Sequence, residues 1–98
     1  MQILSWNING LKACLKSDSF NFIYDLLPDI ICLQEIRTHE EPVIIDGCHH
    51  YWNHSKRDGF YGMAVLTMDE PISVTNRLNN LFQDDEDCII TVEPYVLQ

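Results

Sequence analysis

Glu35 closes the stretch PDIICLQEIR (28–37), in which Ile30, Ile31, Cys32 and Leu33 run into Gln34, a carboxylate and then Arg37. Asn7 closes a shorter run of the same kind, QILSWN (2–7). A carboxylate beside amide oxygens is a sparse oxygen-donor set. Mg²⁺ accepts such a set next to a phosphate, because it keeps several of its waters. The same two residues also suit a plainer role, as the first solvated positions after buried strands. What separates the two readings is whether Asn7 and Glu35 meet at one place.

The elements that must position them read as a βαβ unit. QILSWN is a short strand. INGLKACLK opens a helix at Asn9-Gly10. SDSFNFIYDLLP continues it after a break at Ser17–Ser19, with Ser19 as the N-cap. Phe22, Ile23, Leu26 and Leu27 fall at helical spacing and predict one apolar face. Pro28 stops the helix, because proline pushes the residue before it out of the α region. DIICLQ is a continuous apolar run, which predicts a parallel strand covered on both faces. A right-handed crossover makes the two strands parallel neighbours. Their carboxyl ends, with Asn7 and Glu35, then share the edge at which α/β folds bind ligands. Further on, THEEPVIIDGC reads as an acidic loop or short helix, and HHYWNH as a strand. DGFYGMAVLTM and ISVTNRL predict a β-hairpin around Asp69-Glu70-Pro71, and CIITVE a last strand before Pro94.

The chain has 98 residues, 46% of them hydrophobic, which suits one globular α/β domain over 1–98. Its formal net charge of −9 repels nucleic acid at long range. Local phosphate contacts survive such a balance, and a bound cation reverses it at a site. Part of the excess is the run Asp84-Asp85-Glu86-Asp87, which reads as a solvated loop. No apolar run approaches the roughly 20 residues of a membrane span. MQILSWN lacks the basic and apolar segments of a signal peptide, so an intracellular protein is expected. Cys14, Cys32, Cys48 and Cys88 form no C-x-x-C pair and read as reduced structural thiols. A zinc site from Cys48, His49, His50 and His54 is disfavoured. In a strand, His50 and His54 share a face but lie about 13 Å apart, too far for one tetrahedral ion.

LSWNINGLKA (4–13) followed by PDIICLQEIR (28–37) resembles the opening of the exonuclease III and AP endonuclease family, within the endonuclease/exonuclease/phosphatase superfamily. HYWNHSKRDGFYGMAVLT (50–67) and DDEDCIITVE (84–93) resemble later segments, in order. The resemblance implies half of a four-layer α/β sandwich, with a mixed sheet and one or two helices. It implies Mg²⁺, with Mn²⁺ as a substitute, and phosphodiester hydrolysis on DNA in repair, as an exodeoxyribonuclease or abasic-site endonuclease. Glu35 is then the metal ligand, and Asn9 lies at the edge of the metal pocket. Asn7 sits in the catalytic pocket and organises the acid that activates water. The turn with Gly10 and Lys12 meets the DNA backbone at a helix N-terminus. Arg37 takes a position that is usually basic. Lys56, Arg57, Phe60 and Gly62 belong to a segment close to DNA.

The pattern breaks in places. The Gly-Asp-x-Asn and Ser-Asp-His motifs of the family do not occur in this sequence. Asp87-Cys88 stands where the family usually has Gly-Arg, and Tyr95 does not match the family's functional tyrosine. The expectation is a truncated domain with half an active site, inactive alone. The sheet face left uncovered would lead it to self-associate or to bind a complementary C-terminal half. Alternatives are a non-catalytic binding module, or a piece of a retroelement endonuclease or of a phosphatase.

Overall fold

The computed structural model describes residues 1–71, 73–75 and 91–93. The chain runs through β1 (Ile3–Asn7), α1 (Leu11–Lys16), a 3-10 turn (Asp18–Phe20), α2 (Asn21–Leu26), β2 (Ile30–Gln34), β3 (His49–Asn53), β4 (Met63–Thr67), β5 (Ser73–Thr75) and β6 (Thr91–Glu93). The first four strands form one mixed sheet in the order β1-β2-β4-β3. β1 and β2 are parallel, with Asn7 opposite Gln34. β4 runs antiparallel to both β2 and β3. The βαβ unit is therefore as expected.

The expected hairpin around Asp69-Glu70-Pro71 does not form. β2 and β3 occupy both edges of β4, so β5 has no edge there to pair with. It pairs instead with β6, in a separate two-stranded sheet. The stretch 38–48 is irregular rather than helical. The acidic run 84–87, Cys88, Pro94 and Tyr95 lie outside the described residues.

Strand alternation sorts the side chains onto two faces. Leu4, Ile31, Leu66 and His50 form one row, and Trp6, Leu33, Ala64 and Trp52 the next. The main buried cluster lies on this face, where Leu11, Cys14, Phe20 and Ile23 of the helical layer meet Ile31, Leu33 and Leu66. Trp6 packs edge-on against both Phe20 and Phe22, with centroids 5.4 and 5.3 Å away. On the other face burial is graded. Val65 and Thr67 are buried outside the main cluster, Ile30 and Cys32 are half-buried, and Ile3 is 63% exposed. β2 is thus not covered equally on both sides, contrary to its unbroken apolar sequence. The smallest extent of the protein, 17 Å, has room for one sheet backed by one helical layer.

The helical segment breaks at Ser17, within the expected stretch Ser17–Ser19. Ser19 is not the cap: Ser17 caps the 3-10 turn, its Oγ accepting from Ser19 N–H at 3.2 Å, and α2 follows from Phe20 without a side-chain cap. Of the predicted apolar face of α2, only Ile23 is buried, whereas Phe22, Leu26 and Leu27 are about half exposed. α2 is six residues long, so one buried position fixes it against the sheet. Leu27 leaves the helix in the left-handed conformation, φ 43°, just before the buried Pro28.

His50 ties the irregular stretch to the sheet. Its Nε2 accepts from Ile44 N–H at 3.0 Å and from Ile45 N–H at 3.4 Å. Nδ1–H therefore donates to Cys48 O at 3.1 Å. Replacing His50 with leucine keeps the volume but strands two backbone donors. The expected cost is about 1–3 kcal/mol in urea unfolding. An unchanged midpoint would show that these bonds contribute nothing.

Candidate functional site

The parallel register carries Asn7 and Glu35 to the same edge of the sheet. There three chain segments are laced together by their backbones. Ile8 N–H donates to Gln34 O at 3.1 Å, Gly10 N–H to Glu35 O at 2.8 Å and Leu11 N–H to Ile36 O at 2.8 Å. On the other side Ile36 N–H donates to Gly62 O at 3.2 Å, and Arg37 N–H to Tyr61 O at 2.8 Å. Ile36, fully buried, is the knot of this lacing.

The rim is also where the backbone is strained. Asn9, Glu35, Arg37 and Tyr61 all have positive φ, at 48°, 54°, 54° and 28°. Each such residue costs on the order of 1–3 kcal/mol and persists only where surrounding bonds over-determine it. Such outliers concentrate at functional sites. Elsewhere among the described residues, only Leu27 among the non-glycines shares this conformation.

Glu35 points outward with its side chain 28% exposed, and Arg37 Nη2 lies 3.6 Å from its Oε2. Asn7 is exposed, and its Oδ1 accepts from Asn9 N–H at 3.1 Å, which leaves a second lone pair open. Among the described residues no group of three His, Cys, Asp or Glu could hold a metal ion. The donor set at the rim is therefore one carboxylate, amide oxygens and water. That fits Mg²⁺ or Mn²⁺, which tolerate water in most positions. It does not fit zinc, which wants nitrogen and sulfur.

The former zinc candidates are engaged elsewhere. His50 is tied to backbone groups, as described above. His54 bridges Thr38 O at 2.9 Å and Glu41 Oε1 at 3.0 Å, and stacks on Trp52 with centroids 5.9 Å apart. Burial pushes the Cys32 and Cys48 thiols up from their ordinary range, so both are protonated thiols at neutral pH. Cys14, Cys32 and Cys48 are free.

The basic and aromatic residues of the sequence motif gather on the same edge. The loop from β3 to β4 carries Lys56, Arg57, Phe60 and Gly62 and meets the rim through Tyr61 and Gly62. The Arg57 guanidinium carbon lies 5.0 Å from the Phe60 ring centroid, a cation–π contact on a half-exposed ring. Lys12 Nζ pairs with Glu40 at 3.3 Å, both well exposed. Lys12, Arg37, Lys56 and Arg57 are four of the chain's six Lys and Arg. Most of the chain's basic side chains thus lie at this edge, interleaved with the carboxylates of Glu35, Glu40, Glu41 and Asp58.

One expectation changes. The Gly10 and Leu11 N–H groups already donate to Glu35 O and Ile36 O, and α1 has six residues. Those two N–H groups are therefore not open to a phosphate, and Gly10 has no donor to offer one. Two rim residues were not singled out from the sequence. Ile36 was hidden between two charged neighbours. Tyr61, 45% exposed beside Phe60, carries only the weak signal of an aromatic pair before a glycine.

The model of the Endonuclease/Exonuclease/phosphatase family matches residues 4–97. The exodeoxyribonuclease of Bacillus subtilis (strain 168) is 35% identical over 96 residues, covering 95% of this chain and 38% of that protein. The DNA repair nuclease APEX1 of Danio rerio is 37% identical over 100 residues, covering 95% of this chain and 32% of its own length. Among solved structures, the 3′ phosphatase NExo from Neisseria bound to product DNA hairpin superposes with a TM-score of 0.76 at 27% identity. It covers 94% of this chain and 37% of its own. The chain thus spans just over a third of the lengths of these proteins, or slightly less.

Proposed function

The chain belongs to the endonuclease/exonuclease/phosphatase family, and from that premise we propose that its rim is the metal- and phosphate-binding part of a nuclease site acting on DNA. The observation that carries the reading is the parallel β1–β2 register, which delivers Asn7 and Glu35 to one strained, tightly laced edge. The similar exodeoxyribonuclease and DNA repair nuclease, and a similar 3′ phosphatase whose structure is bound to a DNA hairpin, support DNA as the substrate class.

Glu35 would hold the divalent ion, with amide oxygens from Asn7 or Asn9 and water completing its shell. When bound, the ion neutralises charge developing on the phosphate. Arg37, Lys56 and Arg57 attract and orient the phosphodiester backbone, and Phe60 offers a half-exposed ring to a sugar or base. Asn7 orients groups beside the reacting phosphate through its amide. The Gly-Asp-x-Asn and Ser-Asp-His motifs that the resemblance ties to water activation do not occur in residues 1–98. In this reading residues 1–98 bind and position, and do not by themselves hydrolyse.

Binding tests the first part. Duplex DNA should bind more weakly as salt rises, and Lys56→Ala with Arg57→Ala should weaken it and lower the log–log salt slope by about 2. Turnover tests the second. The chain alone should leave abasic-site and 3′-end substrates uncut in Mg²⁺. Salt-independent binding would remove the DNA interface, and turnover abolished by Glu35→Gln would overturn the claim that the part is insufficient.

A further inference from the structure

Glu35 already has a cation beside it. Arg37 Nη2 lies 3.6 Å from Glu35 Oε2, which is beyond hydrogen-bond length but within ion-pair range. The two residues stand on either side of Ile36. Ile36 is fully buried, its N–H bonded to Gly62 O and its carbonyl to Leu11 N–H. Because that residue is locked, its neighbours are both held outward, each at φ 54°. Arg37 is further fixed at its base by the bond from its N–H to Tyr61 O at 2.8 Å. Its tip is open to solvent and to ligands, with 43% of the side chain exposed. The pair is thus a carboxylate with a tethered counter-cation. Tethering gives the guanidinium a high effective concentration at Glu35 whatever the solution contains.

Resting on the proposed function, we infer that Arg37 is a positioning residue that occupies Glu35 until a divalent ion and a phosphodiester arrive together. A divalent ion at Glu35 must displace the guanidinium or bind against its charge. A phosphodiester at the rim offers that guanidinium a better partner, since its planar fork matches phosphate oxygens bidentately. Moving the tip from carboxylate to phosphate releases Glu35 for the ion. Ion and phosphodiester therefore bind cooperatively, and by linkage each strengthens the other by the same factor. A fixed salt bridge with no such role would instead hold Glu35 in place and help the ion.

The two roles predict opposite signs. In titrations of the protein with Mn²⁺ alone, followed by water-proton relaxation, Arg37→Gln should tighten binding about two- to five-fold at low salt, the range of an exposed ion pair. Short duplex DNA should tighten Mn²⁺ binding in the unmodified protein, and this coupling should shrink in Arg37→Gln. Arg37→Lys, which keeps the charge but not the fork, should bind Mn²⁺ like the unmodified protein and lose part of the coupling. Glu35→Gln should abolish the Mn²⁺ response. If Arg37→Gln leaves Mn²⁺ affinity unchanged or weaker while Glu35→Gln abolishes it, the inference falls and the metal site stands. If Glu35→Gln keeps the Mn²⁺ response, the site assignment itself falls.

Discussion

Replacing Ile36 with alanine should unfold much of the protein or leave it folded without a working rim. The side chain is fully buried in the main core cluster, so truncation removes buried methyl groups and leaves a cavity. Ile→Ala changes of this kind cost about 2–5 kcal/mol. Small domains have only about 5–15 kcal/mol in total. Ile36 also holds three segments together, through Gly62 O on one side and Leu11 N–H on the other. Loosening it releases Glu35 and Arg37 from their positive-φ conformations, which only the lacing maintains. Ile36→Val removes one methyl group and should cost about 0.5–1.5 kcal/mol. Urea unfolding measures both. Duplex binding at low salt then reports whether the surviving Ile36→Ala fold still presents Arg37 and Glu35. A loss under 1 kcal/mol with unchanged binding would show that the rim does not depend on this residue.

The residues that became legible early are those whose signal is local. Ile30–Leu33 is too apolar for a surface loop, and Pro28 ends the helix before it; β2 follows at Ile30–Gln34. Asn7 and Glu35 could be placed at one edge because a βαβ crossover leaves the strands few alternatives. Where partners compete, local reading failed. ISVTNRL does contain a strand, but the edge of β4 it was expected to join is taken by β3. α2 shows the same limit: Phe22, Leu26 and Leu27 have helical spacing, yet only Ile23 reaches the core from so short a helix. Ser17 and Ser19 are equally good caps by type, and only the backbone direction after α1 selects Ser17.

The site was legible in its chemistry but not in its mechanics. A carboxylate after a buried strand and a cluster of basic residues can be read from residue types. Asn9 is a residue type that takes positive φ readily, but that Glu35, Arg37 and Tyr61 share it cannot be read, because nothing in those side chains demands it. The strain is imposed by long-range bonds, Gly10 to Glu35 and Arg37 to Tyr61, that link segments distant in sequence. Ile36 was equally hidden. Its burial follows from an outward Glu35 and Arg37, which only the folded rim reveals.

Gly62 and Gly59 allow backbone strain and close contact to be separated. Both have positive φ, at 78° and 88°, where a side chain is strained regardless of space. A Cβ at Gly59 would meet nothing within 4 Å. A Cβ at Gly62 would lie 3.0 Å from Ile36 Cγ1 and 3.3 Å from Asn53 O. Gly59→Ala should therefore cost only the conformational term, on the order of 1–2 kcal/mol. Gly62→Ala carries a similar term and must also displace Ile36 or the β3 carbonyl, for about 1–3 kcal/mol more. Ile36 cannot yield freely, since it is buried and bonded at both its N–H and its carbonyl. The displacement should pass to Glu35 and Arg37 on either side of it. Urea unfolding should rank Gly62→Ala below Gly59→Ala by at least about 1 kcal/mol. The Ile36 methyl resonances should shift only in Gly62→Ala, and Mn²⁺ binding should weaken only there. Equal costs for the two substitutions, with Ile36 undisturbed in both, would mean that the close approach of Gly62 does not hold the rim in place.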